Sequence, residues 1–226
     1  MQQPSTSMLK STLPMNVSAT LNLFRLIRDP SLCLPQATIP TFNHLPIPVS
    51  KAFVSSAKGK EPDIRAVVLD KDNCFAWPKE NAVYKPYNDK FEALRAAYPG
   101  SRLLIVSNSA GTGSDPGGRE AQLLQKNTGV TVLQHATKKP GCQTEILDYF
   151  RNAPDSGVTR PDQIAVVGDR LFTDVMMANM MGSWGAWLRD GVVEERGLFT
   201  RLEGRVATYL LRKGYRAPTP TSQFEG

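Results

Sequence analysis

The stretch Ile64-Arg65-Ala66-Val67-Val68-Leu69-Asp70-Lys71-Asp72-Asn73-Cys74 decides the fold. Its apolar part is continuous rather than alternating, which predicts a short strand buried on both faces of a parallel sheet. Two aspartates one residue apart end that run. A second acidic pair, Asp169 and Asp174, ends a similar run about a hundred residues later. Paired carboxylates at strand ends suit a divalent cation and a phosphoryl-transfer step.

Working outward, further apolar runs lie at Leu103–Val106, Val130–Leu133, Ile164–Val167 and Trp184–Leu188, giving five predicted strands with Ala66–Leu69. Helical periodicity separates them. Asn88–Tyr98 places Phe91 and Leu94 on one face, Cys142–Phe150 does so with Ile146, Leu147 and Phe150, and Phe172–Met181 also reads as helix. A last helix is expected from about Glu194 to Lys213, with Leu198, Leu202, Val206, Tyr209 and Leu210 inward. This alternation predicts an α/β, Rossmann-like doubly wound parallel sheet with right-handed crossovers. Such sheets bind ligands at the carboxyl ends of their strands. Those ends here carry Asp70 and Asp72, then Ser107 and Asn108, then Lys139, then Gly168 and Asp169.

The chain has 226 residues and a net charge of +6. Residues 1–60 hold Lys10, Arg25, Arg28, Lys51, Lys58 and Lys60 against Asp29 alone, so five of the six excess charges sit there. The remainder is nearly balanced, which argues against a broad cationic face for nucleic acid. Cys33, Cys74 and Cys142 are odd in number and far apart, and the only histidines are His44 and His135. Neither a zinc site nor a disulfide framework is expected, and a reducing compartment is the simple reading. Positions 39, 80 and 148, six residues past each cysteine, are Ile, Glu and Asp, so the CxxxxxR signature of cysteine phosphatases is missing.

Residues 1–19 read as a transit segment or a plain disordered terminus. Residues 20–60 form a basic, apolar and Pro-rich arm. Its helix ends at Pro30, and the four prolines between Leu32 and Val49 exclude a regular helix or a central strand. Two readings of residues 20–50 stay open: contact with a membrane interface, or a loop packed on the core. The expected core is 61–213, and 214–226 is expected to be a loose tail. Gly111–Gly118 lacks the ending of a nucleotide-cradling loop and is expected to be mobile at the mouth of the site. Trp184 and Trp187 are expected in the core, and His135 has no partner visible in sequence.

Taken together, Asp70-Lys-Asp72, Ile105-Val-Ser107-Asn108, Lys138-Lys139-Pro140 and Gly168-Asp169-Arg-Leu-Phe-Thr173-Asp174 resemble the haloacid dehalogenase superfamily of phosphatases across about residues 62–190. The resemblance implies Asp70 as nucleophile through an aspartyl-phosphate and Asp72 as general acid, then base. It implies Mg²⁺ held by Asp70, the backbone carbonyl of Asp72 and Asp169. Asp174 is then an inner ligand or a partner of one. Ser107 and Lys139 would bind the phosphoryl oxygens. Lys138 competes with Lys139 for that role, and the family's lysine commonly precedes proline. Asn108 either joins them or shapes the turn.

About 35 residues separate Asp72 from Ser107, and about 30 separate Ser107 from Lys139, so no cap domain fits. A capless, open site favours phosphate displayed on something large, unless a homo-oligomer supplies the lid from a neighbouring subunit. The basic arm tips this toward anionic phospholipid at a membrane surface, rather than a phosphoprotein or nucleic acid end. Val-Val-Leu-Asp70-Lys-Asp72-Asn73-Cys74 with that arm is similar to the fungal mitochondrial phosphatidylglycerophosphate phosphatases. This implies hydrolysis of phosphatidylglycerophosphate to phosphatidylglycerol, for cardiolipin, by a peripheral enzyme on the matrix side of the mitochondrial inner membrane. A catalytically silent membrane-bound scaffold of the same fold is the competing class.

Overall fold

The structure, a computed structural model, describes residues 24–193 and 198–222. The transit segment expected at 1–19, the helix positions before Phe24 and the start of the last helix at 194–197 lie outside the described residues. Six parallel strands form one sheet in the order β1-β6-β5-β2-β3-β4. They are β1 (Ala37–Ile39), β2 (Ala66–Leu69), β3 (Leu103–Ile105), β4 (Thr131–Val132), β5 (Ile164–Gly168) and β6 (Trp184–Leu188). From β2 the chain winds outward through β3 and β4. It then returns to β5 on the other side of β2 and continues to β6. The carboxyl ends of β2 and β5 therefore lie side by side where the winding reverses, which is where such sheets hold ligands.

The apolar runs are buried on both faces, as their lack of alternation predicts. In β2, Val67 and Leu69 face one core while Ala66 and Val68 face the other. The first core is filled by Phe91 and Leu94 of α2 (Asn88–Ala97) and by Ala121 and Leu124 of α3 (Arg119–Thr128). Ile146 and Phe150 of α4 (Gln143–Arg151) and Met177 and Ala178 of α5 (Met176–Met180) fill the second. One helix connects β2 to β3 and one connects β3 to β4.

The Pro-rich stretch resolves one of the two readings left open. Residues 30–53 are part of the core. β1 is the sixth strand, an edge strand paired with β6 and flanked by Pro35 and Pro40, where a missing N–H does no harm. Phe42, Leu45, Val49 and Phe53 are fully buried. Phe42 packs against Phe75, Tyr87 and Phe91 with ring centroids 5.5–6.4 Å apart, and the Val49 N–H donates to Tyr98 Oη at 2.9 Å. Buried amides staple the segment down. Gln36 Nε2 donates to Asn179 Oδ1 and to the Pro218 carbonyl, its Oε1 accepts from Gly185 N–H, and Asn179 Nδ2 donates to the carbonyls of Leu32 and Leu34. Only the short helical segment α1, residues 24–28, leaves large apolar side chains outside: Phe24 and Ile27 are 66% and 70% exposed.

Two other expectations are corrected. The tail is not loose through residue 222: the Thr221 N–H donates to the Gly182 carbonyl, its carbonyl accepts from Asp162 N–H, and Ala217 packs on a small core. The last helix, α6 (Leu198–Arg212), buries Glu203, Ala207 and Leu210, while Leu202 and Tyr209 point outward. Its apolar residues are spread round the helix, so pattern alone misjudged the phase, and a buried carboxylate takes a core-facing position.

Phe42→Ala removes a fully buried ring from the main core and is expected to cost about 3–5 kcal/mol in chemical denaturation. A loss below about 1 kcal/mol would show that residues 30–53 are a detachable arm after all.

Candidate active site

Four strand tips deliver the site. Asp70 extends β2 by one residue, its N–H donating to the Val167 carbonyl of β5 at 2.9 Å. Asp169 directly follows β5, and Asp174 sits on a π-helical turn, Leu171–Val175. Such wide turns recur at functional sites because they swing one side chain out of the regular helical register. The carboxylates of Asp70, Asp169 and Asp174 are all buried, with ligand oxygens within 4.8 Å of one another. Gly168 makes this close approach feasible, since a Cβ there would collide with the Asp174 carboxylate.

Lys139 is the cation among these acids. Its Nζ pairs with Asp70 Oδ1 and, at 2.7 Å, with Asp174 Oδ1, and the residue is 6% exposed. Lys138 is exposed, so geometry chooses between the two lysines. Asn108 shapes this turn, its Oδ1 accepting from the Lys139 N–H at 2.7 Å. Ser107, fully buried at the end of β3, has its Oγ 3.0 Å from Ser109 Oγ.

Asp72 is placed differently. Its Oδ1 accepts from Lys71 Nζ at 2.6 Å and from Lys79 N–H at 2.7 Å, and its Oδ2 accepts from Ser109 Oγ at 3.1 Å. Its carboxylate stands apart from the acidic triad, beside the loop that follows β2. The family resemblance assigns Asp72 a metal role through its backbone carbonyl, not through this carboxylate.

Burial and mutual repulsion work against charge in the triad. Burial pushes Asp70 up to about 6, with Lys139 opposing and Asp174 adding to the rise. Burial, then Asp70 and Asp174, push Asp169 up to about 8. Burial works to lower Lys139, but the carboxylates of Asp174 and Asp70 outweigh it and hold the ammonium above the ordinary lysine range. Three clustered carboxylates with only oxygen donors fit a hard divalent cation such as Mg²⁺, which would relieve their repulsion. The cysteines offer no competing nucleophile: all three are buried, and burial pushes Cys142 up to about 12.

Several residues without an assigned role in the sequence reading build the frame. Asn73 adopts φ +61°, a left-handed turn that Asn tolerates. Its Nδ2 donates to Asp169 Oδ2 at 2.7 Å and its Oδ1 accepts from Val193 N–H, so it aims the carboxylate. Trp187 is in the core as expected, and its Nε1 donates to the Asp169 carbonyl at 3.0 Å. Glu203 of α6 accepts from Arg170 Nε and Nη2 and from Leu171 N–H, clamping the turn between Asp169 and Asp174. His135 is buried between two carbonyls, its Nε2 2.9 Å from Ser107 O and its Nδ1 2.7 Å from Thr137 O. Of these, Glu203 had a visible signal, as the only acid between Leu198 and Arg216 in a cationic helix.

The loop Gly111–Gly118 is tied down rather than mobile. Asp115 is 6% exposed and accepts from the N–H groups of Gly111, Glu120 and Ala121. Burial pushes its carboxyl up, but these backbone donors outweigh it and hold it below the usual range.

In the unfolded chain Asp70 and Asp169 titrate near 3.9. The folded protein therefore binds more protons between about pH 4 and 8, and its stability falls as pH rises through that window. Cation-free protein is expected to lose Tm on going from about pH 5 to about pH 8. Magnesium, which needs the carboxylates ionised, is expected to raise Tm more at pH 8 than at pH 5. A magnesium shift that is the same at both values would dissociate the cation from this triad. Gly168→Ala, which displaces the Asp174 carboxylate, is expected to abolish most of that shift.

The mitochondrial PGP phosphatase family matches residues 17–193. The mitochondrial phosphatidylglycerophosphatase of Saccharomyces cerevisiae is 48% identical over 196 residues, covering 87% of this chain and 99% of the yeast protein. A probable mitochondrial phosphatidylglycerophosphatase of Schizosaccharomyces pombe is 36% identical, covering 83% and 89%. A probable phosphatase of Bacillus subtilis is 26% identical over 72% of this chain and 87% of its own length. No solved structure matches. With strand-tip carboxylates, a buried lysine and this match over most of its length, the chain belongs to the mitochondrial PGP phosphatase family.

Proposed function

We propose that the protein is a magnesium-dependent phosphomonoester hydrolase. It converts phosphatidylglycerophosphate to phosphatidylglycerol, on the way to cardiolipin, through an aspartyl-phosphate on Asp70. The observation that carries this reading is the convergence of Asp70, Asp169, Asp174 and Lys139 at one buried point. The yeast relative is named as a phosphatidylglycerophosphatase.

Asp70, Asp169 and Asp174, with the main-chain carbonyl of Asp72, would hold Mg²⁺, which offsets the charge of the phosphoryl group. Asp70 attacks phosphorus while the bond to the lipid's glycerol oxygen breaks. Asp72 serves as general acid, passing a proton to that leaving alkoxide. Asp72 then takes a proton from water, which attacks phosphorus, breaks the aspartyl ester and frees inorganic phosphate and Asp70. Lys139, Ser107 and the side-chain amide of Asn108 bind the phosphoryl oxygens and stabilise the charge that develops there. Lys139 also holds Asp70 in place between turnovers.

With one helix in each of the crossovers β2–β3 and β3–β4, the site is capless and open to a headgroup presented by a bilayer. No helix among the described residues is long and apolar enough to cross a membrane. The relatives from the two yeasts are named as mitochondrial. We place this protein on the matrix face of the inner mitochondrial membrane as a peripheral enzyme. Membrane contact expected of residues 20–50 narrows to their start, since the rest is core; Phe24 and Ile27 are its exposed apolar groups.

Purified protein is expected to release phosphate from phosphatidylglycerophosphate only with magnesium, and Asp70→Asn to lower the rate on the order of 10⁴-fold or more. Release by that variant at the wild-type rate would remove Asp70 as nucleophile. Faster turnover of a phosphopeptide or a terminal nucleotide phosphate than of the lipid would overturn the substrate.

A further inference from the structure

The outer face of α6 carries chemistry that the catalytic site does not use. Between Leu198 and Arg216 the chain has five cations, Arg201, Arg205, Arg212, Lys213 and Arg216, and one acid, Glu203. Glu203 is buried against Arg170 and Leu171, so the solvent side of the helix is cationic. A cleft of about 570 Å³ runs along it, lined by Trp187, Arg201, Arg205, Tyr209 and Arg212, with Arg189, whose guanidinium pairs with Asp190, at its edge. Leu202, Tyr209, Leu211 and Tyr215 stand 42–59% exposed among these arginines. Lys213 Nζ lies 5.7 Å from the Tyr209 ring centroid.

Position matters as much as composition. Trp187 lines the cleft and donates to the Asp169 carbonyl. Glu203 fixes α6 to the turn between Asp169 and Asp174. Leu26 of α1 packs on the same small core as Ala207 and Leu210 of α6. Phe24 and Ile27, 66% and 70% exposed, lie on the segment that Leu26 anchors to this core. α1 and α6 thus meet on one small core, and Glu203 links that core to the turn carrying the acids.

We propose that the outer face of α6, with α1 at its border, is the surface by which the enzyme docks on an anionic phospholipid bilayer. The arginines meet lipid phosphates, and Leu202, Tyr209 and Leu211 enter the headgroup boundary, as amphipathic interfacial helices do. Leucines interleaved with the cations favour a bilayer over a nucleic acid, whose phosphates offer them nothing. The inference rests on the lipid substrate proposed above, and gives it a geometry: docking by α6 holds the catalytic turn against the lipid that carries the phosphate.

The test compares full-length protein with the double variant Arg205→Gln/Arg212→Gln. Binding to neutral phosphatidylcholine vesicles and to vesicles enriched in phosphatidylglycerol is measured by co-sedimentation across a salt series. Each cation near an anionic surface is worth about fivefold in binding. The double variant is expected to bind anionic vesicles about 25-fold more weakly, with less salt dependence, and to hydrolyse a soluble aryl phosphate at the wild-type rate. Adding Leu211→Ser is expected to weaken binding further at high salt. Wild-type affinity in the double variant would overturn the proposal, as would an oligonucleotide that displaces wild-type protein from vesicles by occupying these arginines. Arginine-dependent vesicle binding by a protein that leaves phosphatidylglycerophosphate intact would refute the substrate and keep the docking surface.

Discussion

Three carboxylates, Asp70, Asp169 and Asp174, share one buried spot and repel one another. Two like charges about 4 Å apart cost roughly 4 kcal/mol in a protein-like dielectric. Lys139 offsets part of this through its ion pairs with Asp70 and Asp174, but Asp169 has no ion-pair partner among the described residues, and burial with its acidic neighbours pushes it up to about 8. The surrounding structure exists in large part to hold the acids there. Asn73 and Trp187 fix the carboxylate and carbonyl of Asp169, Gly168 leaves space for Asp174, and the parallel ladder pins Asp70. A site that concentrates negative charge without a matching number of cations is prepared for a cationic ligand and an electrophile. Its opposition to folding is offset by two cores that bury both faces of the sheet.

The catalytic frame was legible because its signals are local. A strand buried on both faces leaves an uninterrupted apolar run, and a polar residue directly after it must stand at the sheet's edge. Five of the six strands, and Asp70 and Asp169 at strand ends, followed from that rule; Lys139 and Asp174, which join them, were expected from the family resemblance. β1 escaped because three residues between prolines show no period; their strand character comes wholly from pairing with β6. Residues 42–53 escaped for a related reason. An apolar segment with scattered prolines looks alike whether it enters lipid or a protein core, and only the aromatic cluster around Phe42 decides. The Gly-rich loop misled in the opposite sense. Its glycines suggested motion, whereas Gly111 (φ +78°) is needed where the chain meets the Leu133 carbonyl, and Asp115 gathers three N–H groups.

α6 shows how a functional demand corrupts a pattern. A helix that only had to pack would place Leu202, Tyr209 and Leu211 inward. Here a carboxylate, Glu203, holds a core-facing position because the backbone N–H of Leu171 and the guanidinium of Arg170 need an acceptor. The apolar residues left outside are surrounded by cations. Net charge over 61–226 is nearly zero, but an average hides a segment with five cations against one buried acid. Nearly balanced totals exclude a uniform field, and they are silent about a local one.

Glu203 therefore joins two properties that could have been separate. Its carboxylate is 1% exposed for the whole residue and accepts three hydrogen bonds from the catalytic turn. Removing it would strand a half-buried guanidinium and a buried N–H, a loss of about 1–3 kcal/mol for each unsatisfied group. Because the clamp is costly to break, it ties α6 firmly to the Asp169–Asp174 turn. In the docking proposed above, a contact made by the outer arginines would act on the acids through this clamp.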